Sequence, residues 1–271
     1  MTNRYDRMFE KLDSQKRGAF IPFAVVGDPD IETSLTIIET LVEAGADALE
    51  LGVPFSDPVA DGPVIQAAVV RALEAGATPS LCFEVIRKVR DKYPEIPIGI
   101  LTYCNPVISA GLNSYFENIA NSGIDSVLTA DMPVAEADAY VAAAKANSVL
   151  PVFIAPPNAD EKTTLKIAQL TGGYTYVVTR KGVTGTDEDV QTGFSTVIDG
   201  LKKAGAPKPV VGFGISKPAH VTASIGAGAA GAISGSAVVK IIEAHRNNID
   251  EMKSALNAFV REMRAATLWN K

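Results

Sequence analysis

The stretch "LELGVPFSDPVADGP", residues 49–63, sets a carboxylate inside a β-rich apolar run and follows it with a loop holding three prolines and two aspartates. Side chains alternate faces along a strand, so Ala48, Glu50 and Gly52 share one side, while Leu49, Leu51 and Val53 share the other. The large apolar set suits a covering layer of helices, which leaves Glu50 pointing into a closed sheet. An unpaired buried carboxylate is costly. Glu50 is therefore either half of an internal salt bridge or a group whose chemistry needs dehydration.

Working outward from that run, β-rich segments recur at 19–25, 47–53, 96–101, 124–130, 150–155, 174–179, 209–213 and 231–235. Amphipathic segments separate them, as in "IETSLTIIETLVEAG", where Leu35, Ile38, Leu41 and Val42 fall on one helix face. Gly45, Gly76 and Gly123 read as helix stops. About eight strand–helix units in 271 residues fit an α/β fold of the (β/α)8 TIM-barrel class better than an open sheet. The doubly wound alternative lacks its fingerprint, since "VVGDPD" after the first strand is not GxGxxG. The expectation is one barrel domain over 1–271, with an extra N-terminal helix and a short extra helix after strand eight, in "GSAVVKIIEAH".

Composition narrows the class further. A 47% hydrophobic chain of net charge -6, with both signs interspersed, can bury a large core and offers no basic patch for nucleic acid or anionic membrane. The N-terminal stretch is polar and amphipathic, unlike a signal peptide, and no run is apolar enough to span a bilayer. Cys82 and Cys104 have no metal or redox spacing and read as reduced thiols, which points to the cytoplasm. No strand run holds a lysine or arginine. That argues against an imine-forming aldolase, and the absence of a His, Cys or carboxylate cluster argues against a metal.

In a barrel of this kind, chemistry sits on the loops that follow the strands. Without a fixed cation, desolvation raises the pKa of Glu50 and suits it to general acid/base work. Asp61 is on the same loop face, and spacing alone leaves it either a site carboxylate or the N-cap of the helix that Pro63 begins. Asp57 reads as a turn residue. Glycine-rich stretches at 182–185, 212–214 and 235–237 follow the last three strands. Loops there, with the N-terminus of a short helix, form a recurrent phosphate site on this fold. Apolar residues near strand ends would line a pocket or simply fill the core. His220 and His245 lie in helical runs and are expected to be solvated or packed.

Together "LELGVPFSDPVADGP", "PIGILTYCNPV", "PPNAD", "RKGVTG", "GFGI" and "GAAGAISGSAVVKII" resemble the tryptophan synthase alpha subunits, in order and over nearly the whole chain. The resemblance implies cleavage of indole-3-glycerol phosphate to indole and glyceraldehyde 3-phosphate. It also implies a tryptophan synthase beta subunit as partner in an alpha2beta2 heterotetramer. That subunit carries pyridoxal phosphate and receives the indole, and no cofactor or metal is expected in this chain. Carried over by position, Glu50 is the acid/base, Asp61 the carboxylate facing the indole N–H, and Tyr176 the tyrosine beside the glutamate. Gly185, Phe213, Gly214, Gly235 and Ser236 form the phosphate cradle. Phe23, Leu101, Leu128, Ala130 and Ile154 form the indole pocket.

The same resemblance gives Thr184 as the lid residue that bonds the aspartate, and 53–60, 104–108 and 131–135 as partner-facing loops. Lys181 receives no role. The stretch 179–193 holds three glycines and few apolar residues, which predicts a lid that orders when phosphate binds. A free-standing lyase and a catalytically quiet activator of a beta subunit are the alternative readings.

Overall fold

The structure is a computed structural model that describes residues 2–178 and 187–269, with the backbone alone over 187–194. Thr184 and Gly185, along with Lys181 and most of the expected lid, lie outside the described residues. In chain order the elements are α1 (Arg4–Ser14), β1 (Ala19–Val25), α2 (Ile31–Glu43), β2 (Leu49–Gly52), α3 (Pro63–Glu74), α4 (Pro79–Lys92), β3 (Ile98–Thr102), α5 (Cys104–Ala110), α6 (Leu112–Asn121) and β4 (Ser126–Thr129). A short 3-10 turn (Val134–Glu136) precedes α7 (Asp138–Ala146), β5 (Leu150–Val152), β6 (Ile154–Ala155), α8 (Glu161–Leu170) and β7 (Thr175–Val178). Then come α9 (Asp187–Lys203), β8 (Pro209–Gly212), α10 (Pro218–Gly226), β9 (Gly231–Ser234), α11 (Ser236–His245) and α12 (Ile249–Ala265).

All strand pairs are parallel, in the order β5-β4-β3-β2-β1-β9-β8-β7-β6. The two ends of that order, β5 and β6, are separated only by Phe153. One run, 150–155, pairs with β4 through its first half and with β7 through its second. The sheet therefore closes as an eight-strand (β/α)8 barrel, as the sequence predicts, with α1 and α11 as the two expected extra helices and α3 and α5, in the connections after β2 and β3, as two that were not expected.

The helices form for local reasons. Asp30 Oδ1 accepts the Thr33 N–H (2.8 Å) to cap α2, and Asp160 does the same for α8 with Thr163 (2.7 Å). The buried face of α2 centres on Ile37, Ile38 and Leu41 and packs toward the barrel. Gly45, Gly76 and Gly123 end α2, α3 and α6 at positive φ, as expected.

The second strand begins at Leu49, later than the expected 47. Asp47, just ahead of it, is tied to β1 twice over: its N–H donates to the Phe20 carbonyl (3.0 Å), and its carboxylate accepts the Phe20 N–H (2.9 Å) and two guanidinium bonds from Arg17 (2.6 and 2.8 Å). Asp125 does the same before β4. It accepts Arg4 (2.7 Å), Arg90 (2.7 Å) and the Ile98 N–H (2.8 Å). These ion pairs lie at the strand N-termini, the end of a barrel that serves stability.

Candidate active site

Glu50 sits where alternation puts it. It pairs in register with Phe23 of β1 and Gly99 of β3, so all three share the inward face. Two residues further along, Gly52, Leu101 and Leu128 form the next inward layer toward the strand C-termini. Glu50 is 2% exposed. Its one hydrogen bond comes from the Tyr174 hydroxyl to Oε1 at 2.8 Å, and no cation pairs with it among the described residues. Burial raises its pKa from the ordinary 4.5 to about 7. The Tyr174 bond opposes that rise and the nearby Asp61 charge adds to it. A carboxyl group with a pKa near neutrality can both give and take a proton at physiological pH.

Below Glu50 the barrel is plugged. Helix α1 inserts Tyr5, whose hydroxyl lies 2.8 Å from Ser126 Oγ and whose ring lies 5.4 Å from that of Tyr174. Tyr5, Tyr174 and Ser126 are all buried and pack beside Glu50 in the barrel interior.

Asp61 does not cap the helix that follows it. The N-cap of α3 is Gly62, with no side-chain cap bond, and Pro63 is its first residue. The Asp61 carboxylate instead accepts a 2.7 Å bond from Tyr103, just past β3. Burial raises the Asp61 pKa and the Tyr103 bond works against that rise. Tyr103 also receives the Ala60 N–H (3.3 Å) and packs its ring 5.5 Å from Phe55. Cys104 N–H in turn donates to Asp131 after β4 at 2.7 Å. The loops after β2, β3 and β4 are thus tied side by side. Asp57 is a turn residue, its carbonyl accepting the Val59 N–H (2.9 Å) and its carboxylate the Ser56 hydroxyl.

The tyrosine hydrogen-bonded to Glu50 is Tyr174, which the sequence reading did not single out. Tyr176 is two residues on, and it too is buried and feels the charges of Glu50 and Asp61. Tyr174 and Tyr176 bracket one strand position, so alternation could have placed both phenols inside with Glu50. Gly212 on β8 makes room for Tyr176, because a Cβ there would lie 2.1 Å from the phenol oxygen.

Around the carboxylates lie Phe23 and Leu128, both buried, and Leu101, Ala130 and Ile154, all half-buried. Phe23 reaches under Gly235, where a Cβ would sit 3.4 Å from its ring. Phe213 and Gly214 follow β8, Gly235 is the N-cap of α11, and Ser236 is its first residue. The first N–H groups of a helix have no internal acceptor and attract anions. The Ser234 hydroxyl donates to the Ile215 carbonyl at 2.6 Å and binds the β8 turn to the β9 end. Two carboxylates, a set of apolar side chains and the first N–H groups of α11 therefore meet at one mouth of the barrel. Such a set offers proton transfer beside apolar side chains, with helix N–H groups suited to an anion.

Residues 9–268 match the family model described as tryptophan synthase alpha chain. The tryptophan synthase alpha chain of Shewanella oneidensis is 54% identical over 265 residues, covering 98% of this chain and 95% of that one. The Legionella pneumophila tryptophan synthase alpha subunit superposes with a TM-score of 0.88 at 30% identity, over 98% of this chain and 99% of that one. A chain of the α2β2 tryptophan synthase complex of Pyrococcus furiosus gives 0.84 at 35% identity, over 92% and 98%.

Proposed function

The chain belongs to the tryptophan synthase alpha chain family of lyases, and from that premise we propose that it cleaves indole-3-glycerol phosphate to indole and glyceraldehyde 3-phosphate. The observation that carries this reading is Glu50, buried in the barrel with no cation beside it among the described residues and with a pKa pushed up to about 7. Protonated Glu50 delivers its proton to indole C3. Positive charge then develops at the ring nitrogen, where the Asp61 carboxylate faces the N–H. Glu50, now a carboxylate, takes the proton of the side-chain hydroxyl. The carbon–carbon bond breaks, its electron pair returns to the indole ring, and the hydroxyl carbon leaves as the aldehyde. Glu50 ends protonated, as it began.

Phe23, Leu101, Leu128, Ala130 and Ile154 hold the indole, and Tyr176 flanks the reacting side chain. Gly214, Gly235 and Ser236, beside Phe213, hold the phosphate, together with Gly185. Thr184 is assigned to the lid. The chemistry draws on these side chains alone, without metal or organic cofactor in this chain.

A beta subunit is the partner on this reading, and exposed apolar side chains on the expected loops support it: Val59 is 78% exposed and Ile108 63%. The same feature disfavours a free-standing lyase, and the presence of both Glu50 and Asp61 disfavours a quiet activator. Incubating the purified chain with indole-3-glycerol phosphate, with added chelator and no cofactor, should yield indole and triose phosphate in equal amounts. Addition of a beta subunit should raise the rate. No indole under either condition would sink the proposal, and equal rates would leave the chain a free-standing lyase.

A further inference from the structure

The turn after β8 is held in an uncommon conformation. Phe213 and Gly214 both have φ of +78°, a region that a phenylalanine occupies only where its surroundings enforce it. One enforcing contact is Ser234, already described. Another comes from a histidine. His220, in the first turn of α10, places Nδ1 2.9 Å from the Gly214 carbonyl oxygen and 3.3 Å from the Ser216 N–H. One ring nitrogen cannot serve both at once: unprotonated it accepts from Ser216, and protonated it donates to Gly214. In either tautomer the imidazole spans the turn from 214 to 216. The N–H of Gly214, on the other side of the same residue, has no acceptor among the described residues.

We infer that His220 is a positioning residue for phosphate recognition: it holds the 213–216 turn so that the Gly214 N–H faces the anion, and thereby sets affinity for the phosphate monoester without touching it. The inference rests on the assignment of the cradle to Gly214, Gly235 and Ser236. Its basis is a distinct contact, the imidazole on the carbonyl side of the turn. Loss of that contact lets the turn sample negative φ at Gly214, which turns the N–H away and weakens binding before any chemistry occurs.

His220→Ala is expected to raise KM for indole-3-glycerol phosphate five- to tenfold and weaken competitive inhibition by inorganic phosphate by the same factor, with kcat within twofold. His220→Phe, which keeps the ring volume, should behave like alanine, and it serves as the test if the alanine variant folds poorly by circular dichroism. His220→Asn should recover affinity to within twofold, because its amide can donate to Gly214 and accept from Ser216. An asparagine variant as weak as the phenylalanine one would overturn the role of the polar contact, as would unchanged phosphate inhibition in His220→Phe. Gly214→Ala and Ser236→Ala, measured alongside, separate the two assignments. If they weaken phosphate binding and His220→Phe does not, the inference about His220 fails. If they too leave phosphate binding unchanged, the cradle assignment fails with it.

Discussion

The barrel buries carboxylates at both ends and treats them in opposite ways. At the strand N-termini Asp47 is gripped by Arg17, and Asp125 by Arg4 and Arg90, each with a backbone N–H besides. At the other end Glu50 and Asp61 receive one tyrosine hydroxyl apiece and, among the described residues, no guanidinium. The difference is chemical in its consequence. A carboxylate bonded to arginine and to a backbone N–H of the neighbouring strand holds the strands in place. Glu50, left to a neutral phenol, has its pKa raised by burial to about 7, where it can exchange protons, and burial raises that of Asp61 as well. The sequence supplies the same residue types at both ends, and the neighbours decide which are structural and which are reactive.

The sharpest way to break the comparison is Glu50→Gln. It keeps shape and polarity but cannot transfer a proton, so indole formation should fall by about a thousandfold or more while substrate still binds. The same substitution should stabilise the fold at alkaline pH. The folded pKa of Glu50 lies above its ordinary value, so the folded chain keeps a proton that the unfolded chain releases. Stability therefore falls as pH rises from about 4.5 to about 7. Urea denaturation at pH 8 should find Glu50→Gln more stable by about 3 kcal/mol, with the gap closing below pH 4.5. Equal stability at both pH values would mean that Glu50 is solvated.

Asp125→Ala probes the opposite end. It strips a partner from buried Arg90 and should cost about 3–5 kcal/mol of stability, with kcat of the folded fraction little changed. A variant that keeps its stability but loses kcat would reverse the roles assigned to the two ends.

Smaller effects are expected from the two phenols. Tyr174→Phe removes a bond that lowers the Glu50 pKa, so the corresponding limb of the pH–rate profile should move above 7. Tyr103→Phe frees Asp61 from its donor and should cost about 1 kcal/mol in transition-state stabilisation, read as a five- to tenfold fall in kcat/KM. A downward move of the limb in Tyr174→Phe would mean that the hydroxyl does not stabilise the carboxylate. Smallest of all, Arg7→Ala breaks an exposed pair with Glu95 (3.1 Å) and should change stability by less than about 0.5 kcal/mol.

Much of this contrast was legible in the sequence, because period-two alternation fixes which side chains enter a barrel. Alternation placed Glu50 inside, and the strands fall within two residues of their expected bounds. It could not place Asp61, since a residue ahead of Pro63 can cap a helix or face a site equally well. Only the Tyr103 contact, across 42 positions, distinguishes them. Tyr174 was missed for a related reason: its role depends on Glu50, 124 positions away. His220 was read as an ordinary helix residue because its contact with the Gly214 carbonyl runs backward from the first turn of α10. Long-range side-chain pairing leaves little local trace, whereas strand periodicity leaves a strong one.

Glu50 titrates near neutrality because it is buried with no cation beside it among the described residues. A carboxyl-carbon NMR titration of chain labelled at glutamate, with Glu50→Gln used to assign the resonance, tests it without reference to turnover. The account predicts a single shifted resonance with a midpoint near 7, lost in the variant. A Glu50 midpoint at the ordinary 4.5 would contradict it.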